Sequence, residues 1–349
     1  MSADPTIPAL LDEGRVRAWL DGRLDTALDD LTIRRVSAGH SNEMFELRAG
    51  PRRWILRRPP RATADPRASN MAREHRILTA LDGTGVPHPR PVAFCDDVDV
   101  TGVPFLVMEW VDGFPGHPPL PGPFRHEPSA RREMALALVD SLVTVADTDW
   151  RAVGLDGFGR PEGFLERQVD RWLDQLARYR RRAIPLIDDV AAWLTANRPT
   201  AGRVGLIHGD YGPGNVLFAP DRPGRIAAVV DWEQSTIGDP RLDVGWLLAL
   251  WSQCGDEPLG DAEPTRLSHL TGVPSRQELR ERYEERSGRR LEHLAYFEVL
   301  ALFKLACVLE GSYQRHCAGL SDDPHHVTFE TRVPALIRRA HQITVGNWI

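Results

Sequence analysis

Apolar positions recur along this chain in two rhythms, and the change of rhythm divides it. Residues 11–20 carry the spacing of a short amphipathic helix, and then 31–36, 44–48 and 54–57 read as strands. The Ala49-Gly50-Pro51 break between the last two predicts a hairpin. In 70–81 the apolar residues Met71, Ile77, Leu78 and Leu81 fall on one helical face, with Asn70 placed to cap it. The continuous run FLVMEW at 105–110 predicts a buried strand, giving the order strand, strand, strand, helix, strand, strand.

Beyond the Pro/Gly-rich stretch 113–123 the rhythm becomes helical, with periodic segments at 129–147, 161–181 and 184–197. A short β-rich patch follows at 205–207, 216–218 and 226–230. Helices resume at Ser275, where Ser275 and Glu278 fit a capping box, and continue through 291–313 and 327–345. The pattern predicts an α+β chain: a β-rich N-terminal lobe over 1–110 joined to a mainly helical C-terminal lobe over 111–349. Ligands often bind at such junctions.

Composition changes little in this picture. The 349 residues are 42% hydrophobic and 26% charged, ordinary for a globular protein, and the net charge of −6 offers no field to grip nucleic acid. The N-terminal sequence lacks a signal peptide's basic start and apolar core, and no apolar run reaches the ~18 residues of a membrane span, so no membrane association is expected. The four cysteines form no C-x-x-C pair, which predicts neither zinc site nor disulfide framework and fits a reduced, cytoplasmic compartment. Of 43 basic residues, 42 are arginine and Lys304 is the only lysine, so a role normally given to an N-terminal lysine must pass to an arginine.

Candidate chemistry concentrates in LIHGDYGPGNVLF, residues 206–218, and in AAVVDWE, 227–233. Asp210 precedes the turn-forming Gly212-Pro213-Gly214, Asn215 opens the next strand, and Asp231 ends an apolar strand. Two carboxylates and one carboxamide supply the hard oxygens magnesium takes, and magnesium uses few protein ligands besides substrate phosphates. Phosphoryl transfer needs positioning and charge neutralisation more than covalent help, and a carboxylate beside an acceptor hydroxyl can orient it and accept its proton.

HGDYGPGN followed by VVDWE and GDPRLDVGW resembles the aminoglycoside phosphotransferase/choline kinase group, which has a protein-kinase-like two-lobed fold. The match runs in order over nearly the whole chain. LRRPP at 56–60, RQVDRW at 167–172 and HGDYGPGN are most similar to the subgroup fused to acyl-CoA dehydrogenases in animals (family members ten and eleven) and free-standing in actinobacteria. The resemblance implies an ATP- and magnesium-dependent phosphotransferase that acts on a small-molecule hydroxyl. It makes Asp210 the catalytic base, Asn215 and Asp231 the magnesium ligands, and His208 a support for the loop. It places Ser37, Gly39, Ser41 and Asn42 over the ATP phosphates, and assigns adenine to backbone groups of Glu109 and Val111. Arg57 takes the place of the phosphate-binding lysine, with Glu74 as its acidic partner. Arginine offers a planar fork to phosphate but is not isosteric with lysine, which leaves a catalytically silent nucleotide-binding module as an alternative. Glu74 also fits a solvated helix-face charge.

Asp239 suits an N-cap before Pro240, and Asp243 in the first turn can bond the catalytic loop. Tyr211, Trp232, Trp246, Trp251 and 164–172 are candidate acceptor-lining residues, although Leu165, Trp172 and Leu176 fit plain core. Arg167 and Arg171 suit anionic groups or pairing with Asp170 and Asp174, and the acidic stretch 255–263 fits a surface loop. The subgroup points to a hydroxyacyl compound or another small metabolite as acceptor. Its fusion partners add a separately encoded acyl-CoA dehydrogenase as a candidate partner, and with it a third reading as an interaction domain.

Overall fold

The computed structural model describes residues 11–36, 42–59, 68–200, 202–261, 266–321 and 323–346. The chain divides into two units, Met1–Asp112 with Ala228–Glu233, and Gly113–Ala227 with Gln234–Ile349. The short segment 228–233 lies with the N-terminal residues although sequence order puts it in the C-terminal lobe. The physical reason is bonding: the Val229 N–H donates to the Pro87 carbonyl, and Asp231 and Glu233 receive Arg57.

In the first unit, α1 (Glu13–Leu20) is capped by Asp12, whose carboxylate accepts from the Arg15 N–H. Five antiparallel strands follow: β1 (Thr32–Val36), β2 (Glu43–Ala49), β3 (Arg52–Arg58), β4 (Pro91–Cys95) and β5 (Phe105–Glu109), in sheet order β1-β2-β3-β5-β4. The β2–β3 hairpin turns at Gly50, whose φ of 54° suits glycine. Helix α2 (Ala68–Leu81) buries Met71, Ile77, Leu78 and Leu81, the face its spacing predicts. A four-residue helix, α3 (Val98–Thr101), precedes β5, whose Phe105, Leu106 and Val107 are fully buried, each side chain worth about 1.5–3 kcal/mol.

The second unit contains β6 (Phe114–Pro115), α4 (Gly122–His126), α5 (Pro128–Asp147), α6 (Gln168–Tyr179), α7 (Ile187–Ala196), β7 (Gly205–Ile207) and β8 (Val216–Phe218). After β9 (Ile226–Val229), it continues with β10 (Thr236–Gly238), α8 (Arg241–Ala249), α9 (Arg276–Ser287), α10 (Leu294–Cys317) and α11 (Phe329–Thr344). Strands β7 and β10 pair antiparallel, and β6, β8 and β9 form a second small sheet. Helix α10 supplies much of the core, with Phe297, Leu300, Phe303, Ala306 and Cys307 buried.

Three helices differ from their predicted extents, and the one expected over 291–313 runs Leu294–Cys317. The periodic segment 161–181 becomes helical only at Gln168, because Gly163 adopts φ 61° and the backbone turns first. The segment 184–197 starts at Ile187, after Pro185 and a left-handed Leu186. At Ser275 both arms of the capping box form: the Ser275 hydroxyl accepts from the Glu278 N–H, and the Glu278 carboxylate accepts from the Ser275 N–H at 2.8 Å. All four cysteines are free thiols, and no helix among the described residues is long and apolar enough to cross a membrane.

Candidate active site

Each unit carries one group of predicted site residues. In the first, β3 points Arg57 inward, where it is 7% exposed. Its guanidinium reaches Glu74 at 3.0 Å with one terminal nitrogen, and Asp231 at 2.7 Å and Glu233 at 3.5 Å with the other. Glu74 is 1% exposed, so it is not a solvated face charge. Burial opposes the charge on Arg57, but Glu74, Asp231 and Glu233 together overcome it and raise its pKa. Burial likewise pushes the Glu74 carboxyl well above its ordinary range, against the pull of Arg57. The neighbouring Arg58 points the other way, to Glu43 at 2.6 Å, as strand alternation requires.

Asp231 follows β9 with φ 66°, a left-handed conformation that aspartate tolerates better than most residues. Trp232 anchors the turn: it is fully buried and its indole N–H donates to the Val229 carbonyl at 2.9 Å. Asn42 donates its amide to Glu233 at 3.2 Å. Ser37, Gly39 and Ser41 lie outside the described residues. At the end of β5 the Glu109 N–H donates to the Arg90 carbonyl. Val111 follows two residues on, next to Trp110, on whose ring Arg53 stacks at 3.7 Å.

In the second unit, the loop after β7 holds His208, Asp210 and Asn215. His208 is fully buried, accepts from the Asp210 N–H at 3.3 Å, and packs edge-on against Tyr211. Asn215 donates its amide to both the Asp210 carbonyl (2.8 Å) and carboxylate (3.1 Å). This bond aims the carboxylate and leaves the Asn215 carbonyl oxygen as a hard donor. Asp231 similarly keeps its second carboxylate oxygen outside the Arg57 bond. Among the described residues no three His, Cys, Asp or Glu side chains gather around a metal position. Carboxylate and carboxamide oxygens are the hard donors magnesium takes, and magnesium uses few protein ligands.

The backbone of this loop is gripped from below. The Asp243 carboxylate on α8 accepts from the His208 N–H at 2.6 Å and the Gly209 N–H at 2.8 Å. Burial lifts the Asp243 pKa to about 6, with the two N–H bonds and Lys304 opposing the rise. Lys304 on α10 donates to the Gly209 carbonyl at 2.5 Å; burial lowers its pKa to about 8 against the attraction of Asp210 and Asp243. No motif in the sequence marks Lys304. The available signal was its being the one lysine among 43 basic residues. Glu233 joins Arg57 and Asn42.

Three expected acceptor-lining residues are core instead. Tyr211 is fully buried and donates its hydroxyl to the Leu138 carbonyl, Trp232 is the anchor described above, and the Trp251 indole donates to the Pro274 carbonyl. Their amphipathic rings find internal partners, as buried Tyr and Trp normally do. Trp246 and Trp172 are buried too, flanking the Lys304 ammonium at 4.8 and 5.8 Å. Arg167 bonds the Arg160 and Glu162 carbonyls, and Asp256 of the acidic loop pairs with Arg276 at 2.6 Å. Asp239 lies before α8, where it accepts from the Arg241 N–H and pairs with its guanidinium, while Pro240 itself takes the cap position.

Known proteins share both the fold and the sequence pattern. A putative aminoglycoside phosphotransferase from Ralstonia eutropha superposes with a TM-score of 0.81 at 26% identity, over 96% of this chain and 99% of that one. A thermostable mutant of aminoglycoside phosphotransferase APH(4)-Ia, solved as a ternary complex with AMP-PNP and hygromycin B, has the same fold at 14% identity, with a TM-score of 0.60 over 93% of this chain and 98% of that one. Acyl-CoA dehydrogenase family member 11 of Rattus norvegicus is 33% identical over 297 residues, which are 83% of this chain and 37% of that protein's length. Residues 32–296 match the phosphotransferase enzyme family, and the chain belongs to that family.

Proposed function

We propose that this chain is an ATP- and magnesium-dependent kinase that phosphorylates a hydroxyl group of a small molecule in the cytoplasm. The observation that carries the reading is the Asp210–Asn215 pair, a carboxylate aimed by a carboxamide on a loop whose backbone is fixed by buried charges. In this reading Asp210 orients the acceptor hydroxyl and takes its proton. Asn215 and Asp231 hold magnesium, which neutralises charge on the transferring phosphoryl group when bound. Arg57, kept charged and directed by Glu74, meets the nucleotide phosphates with its planar fork. Asn42 and the loop before it, with Glu109 and Val111, complete the nucleotide site.

The acceptor is proposed to be a hydroxyacyl compound or a similar metabolite. Similarity to part of acyl-CoA dehydrogenase family members supports this reading, and also supports a separately encoded acyl-CoA dehydrogenase as partner. Isothermal titration tests the nucleotide site: ATP must bind with magnesium and lose affinity when magnesium is chelated. A second reading, a silent nucleotide-binding module, is favoured by the Arg57–Asp231 bond at 2.7 Å, which ties an arginine to a proposed metal ligand. It requires ATP to stabilise the protein thermally while no acceptor is phosphorylated.

A further inference from the structure

Forty-two positions of this chain use arginine as the cation, and one uses lysine. Lys304 is 6% exposed, in the middle of α10, where the residues around it are apolar. A buried ammonium is costly unless it is paired, and a leucine would fill such a helix position without that cost. Its contacts show what the charge is used for. The ammonium donates to the Gly209 carbonyl at 2.5 Å and lies 4.8 Å from the Trp246 ring centre and 5.8 Å from that of Trp172. A compact ammonium fits between two indoles and one carbonyl, whereas a planar guanidinium is wider and prefers bidentate partners.

Gly209 is the residue before Asp210. Its N–H is bound by Asp243 and its carbonyl by Lys304, so both sides of this residue are fixed by buried charges on two different helices. Its φ of 87° and the Gln234 carbonyl, 2.4 Å from where a Cβ would stand, leave the backbone little room to move. The charged groups facing Lys304 are Asp210 on the loop, Asp243 on α8 and Arg171 on α6. We propose that Lys304 is a positioning residue for phosphoryl transfer: its ammonium holds the Gly209 carbonyl and thereby fixes the peptide that aims Asp210. The proposal rests on the assignment of Asp210 as the carboxylate that orients the acceptor.

The test uses the full chain and hydrolysis of magnesium-ATP, with water as acceptor, in wild type, K304M, K304R and D210N. K304M is expected to lower kcat roughly 10- to 100-fold with KM for ATP nearly unchanged, as a misplaced catalytic group does, and K304R does not rescue it. Hydrogen exchange in K304M must rise at residues 209–211 while α10 stays protected. Wild-type turnover and exchange in K304M, with D210N inactive, overturn the role of Lys304 alone. Wild-type turnover in D210N overturns the assignment of Asp210 instead. If K304M does not fold, a second measurement decides. Lysine labelled with ¹³C gives a single Cε resonance in this chain, and D210N must move its titration midpoint down from about 8, because a neighbouring carboxylate that favours the ammonium has gone. An unmoved midpoint overturns the proposal.

Discussion

Replacing Arg57 removes the cation shared by three carboxylates. Its fork spans Glu74 at 3.0 Å and Asp231 at 2.7 Å, with Glu233 at 3.5 Å. The Glu74 side chain is 2% exposed, so Arg57→Met leaves a deeply buried carboxyl without its partner, a loss of about 3–5 kcal/mol. Asp231 and Glu233 are 33% and 19% exposed, and water compensates part of what they lose. Arg57→Lys keeps the charge but cannot serve Glu74 and Asp231 with two fixed nitrogens, and one lost charge-assisted bond costs about 1.5–3 kcal/mol. Both losses are large against the roughly 5–15 kcal/mol that stabilises a typical domain. Urea denaturation measures them. Because burial holds the Glu74 carboxyl above the ordinary 4.5, the folded chain binds this proton more tightly than the unfolded chain does. Glu74 therefore favours folding below pH 4.5, and that contribution is lost as the pH rises toward about 7. Without Arg57 the ionised carboxylate is costlier still and its pKa rises further, so the Met variant goes on losing stability above about pH 7, where wild type has stopped, and its deficit must grow as the pH rises through about 7. A Met variant within about 1 kcal/mol of wild type at the higher pH, the range of an exposed ion pair, would falsify the shared-cation account.

Three further perturbations follow from the second unit. Asp243→Asn keeps one acceptor for two backbone N–H groups and turns a donor toward the other, which is expected to cost about 2–3 kcal/mol in urea unfolding and to lower turnover with it. An unchanged denaturation midpoint would show that the two N–H bonds are not needed. Gly209→Ala combines a positive φ with a Cβ 2.4 Å from the Gln234 carbonyl, so a loss of at least about 2 kcal/mol is expected, read as a lower thermal midpoint. Arg182→Met strips the bidentate partner, at 2.7 Å, from the fully buried Glu310. It should destabilise by about 3 kcal/mol, whereas the double variant with Glu310→Leu should recover most of the loss; failure to recover refutes the uncompensated-charge explanation.

The sequence made local features legible and long-range ones much less so. The Gly50 hairpin, the face of α2 and the Ser275 capping box depend on residues within a few positions of one another, and the structure has all three. The His208–Asn215 loop was visible because its residue types sit at short fixed spacing. By contrast, Lys304 acts on Gly209 across 95 positions, and no periodicity reports such a contact. Asp243 was recognisable as a possible loop partner only because it begins a helix next to the motif. Aromatic residues misled the acceptor reading: composition does not distinguish a tryptophan lining a pocket from one whose indole N–H is spent on a buried carbonyl, as in Trp232 and Trp251. The helix starts at Gln168 and Ile187 were missed because apolar periodicity continues through residues that the backbone places in turns.

The central claim is that this chain transfers the γ-phosphoryl group of ATP to a hydroxyl with Asp210 as the orienting carboxylate. Incubating a metabolite extract with ATP, magnesium and the wild-type protein, and searching by mass spectrometry for a compound that gains one phosphate, tests it directly. Wild type must yield such a product, and both Asp210→Asn and magnesium chelation must abolish it. A product formed equally by Asp210→Asn, or no product from any extract while ATP binds, would contradict the claim.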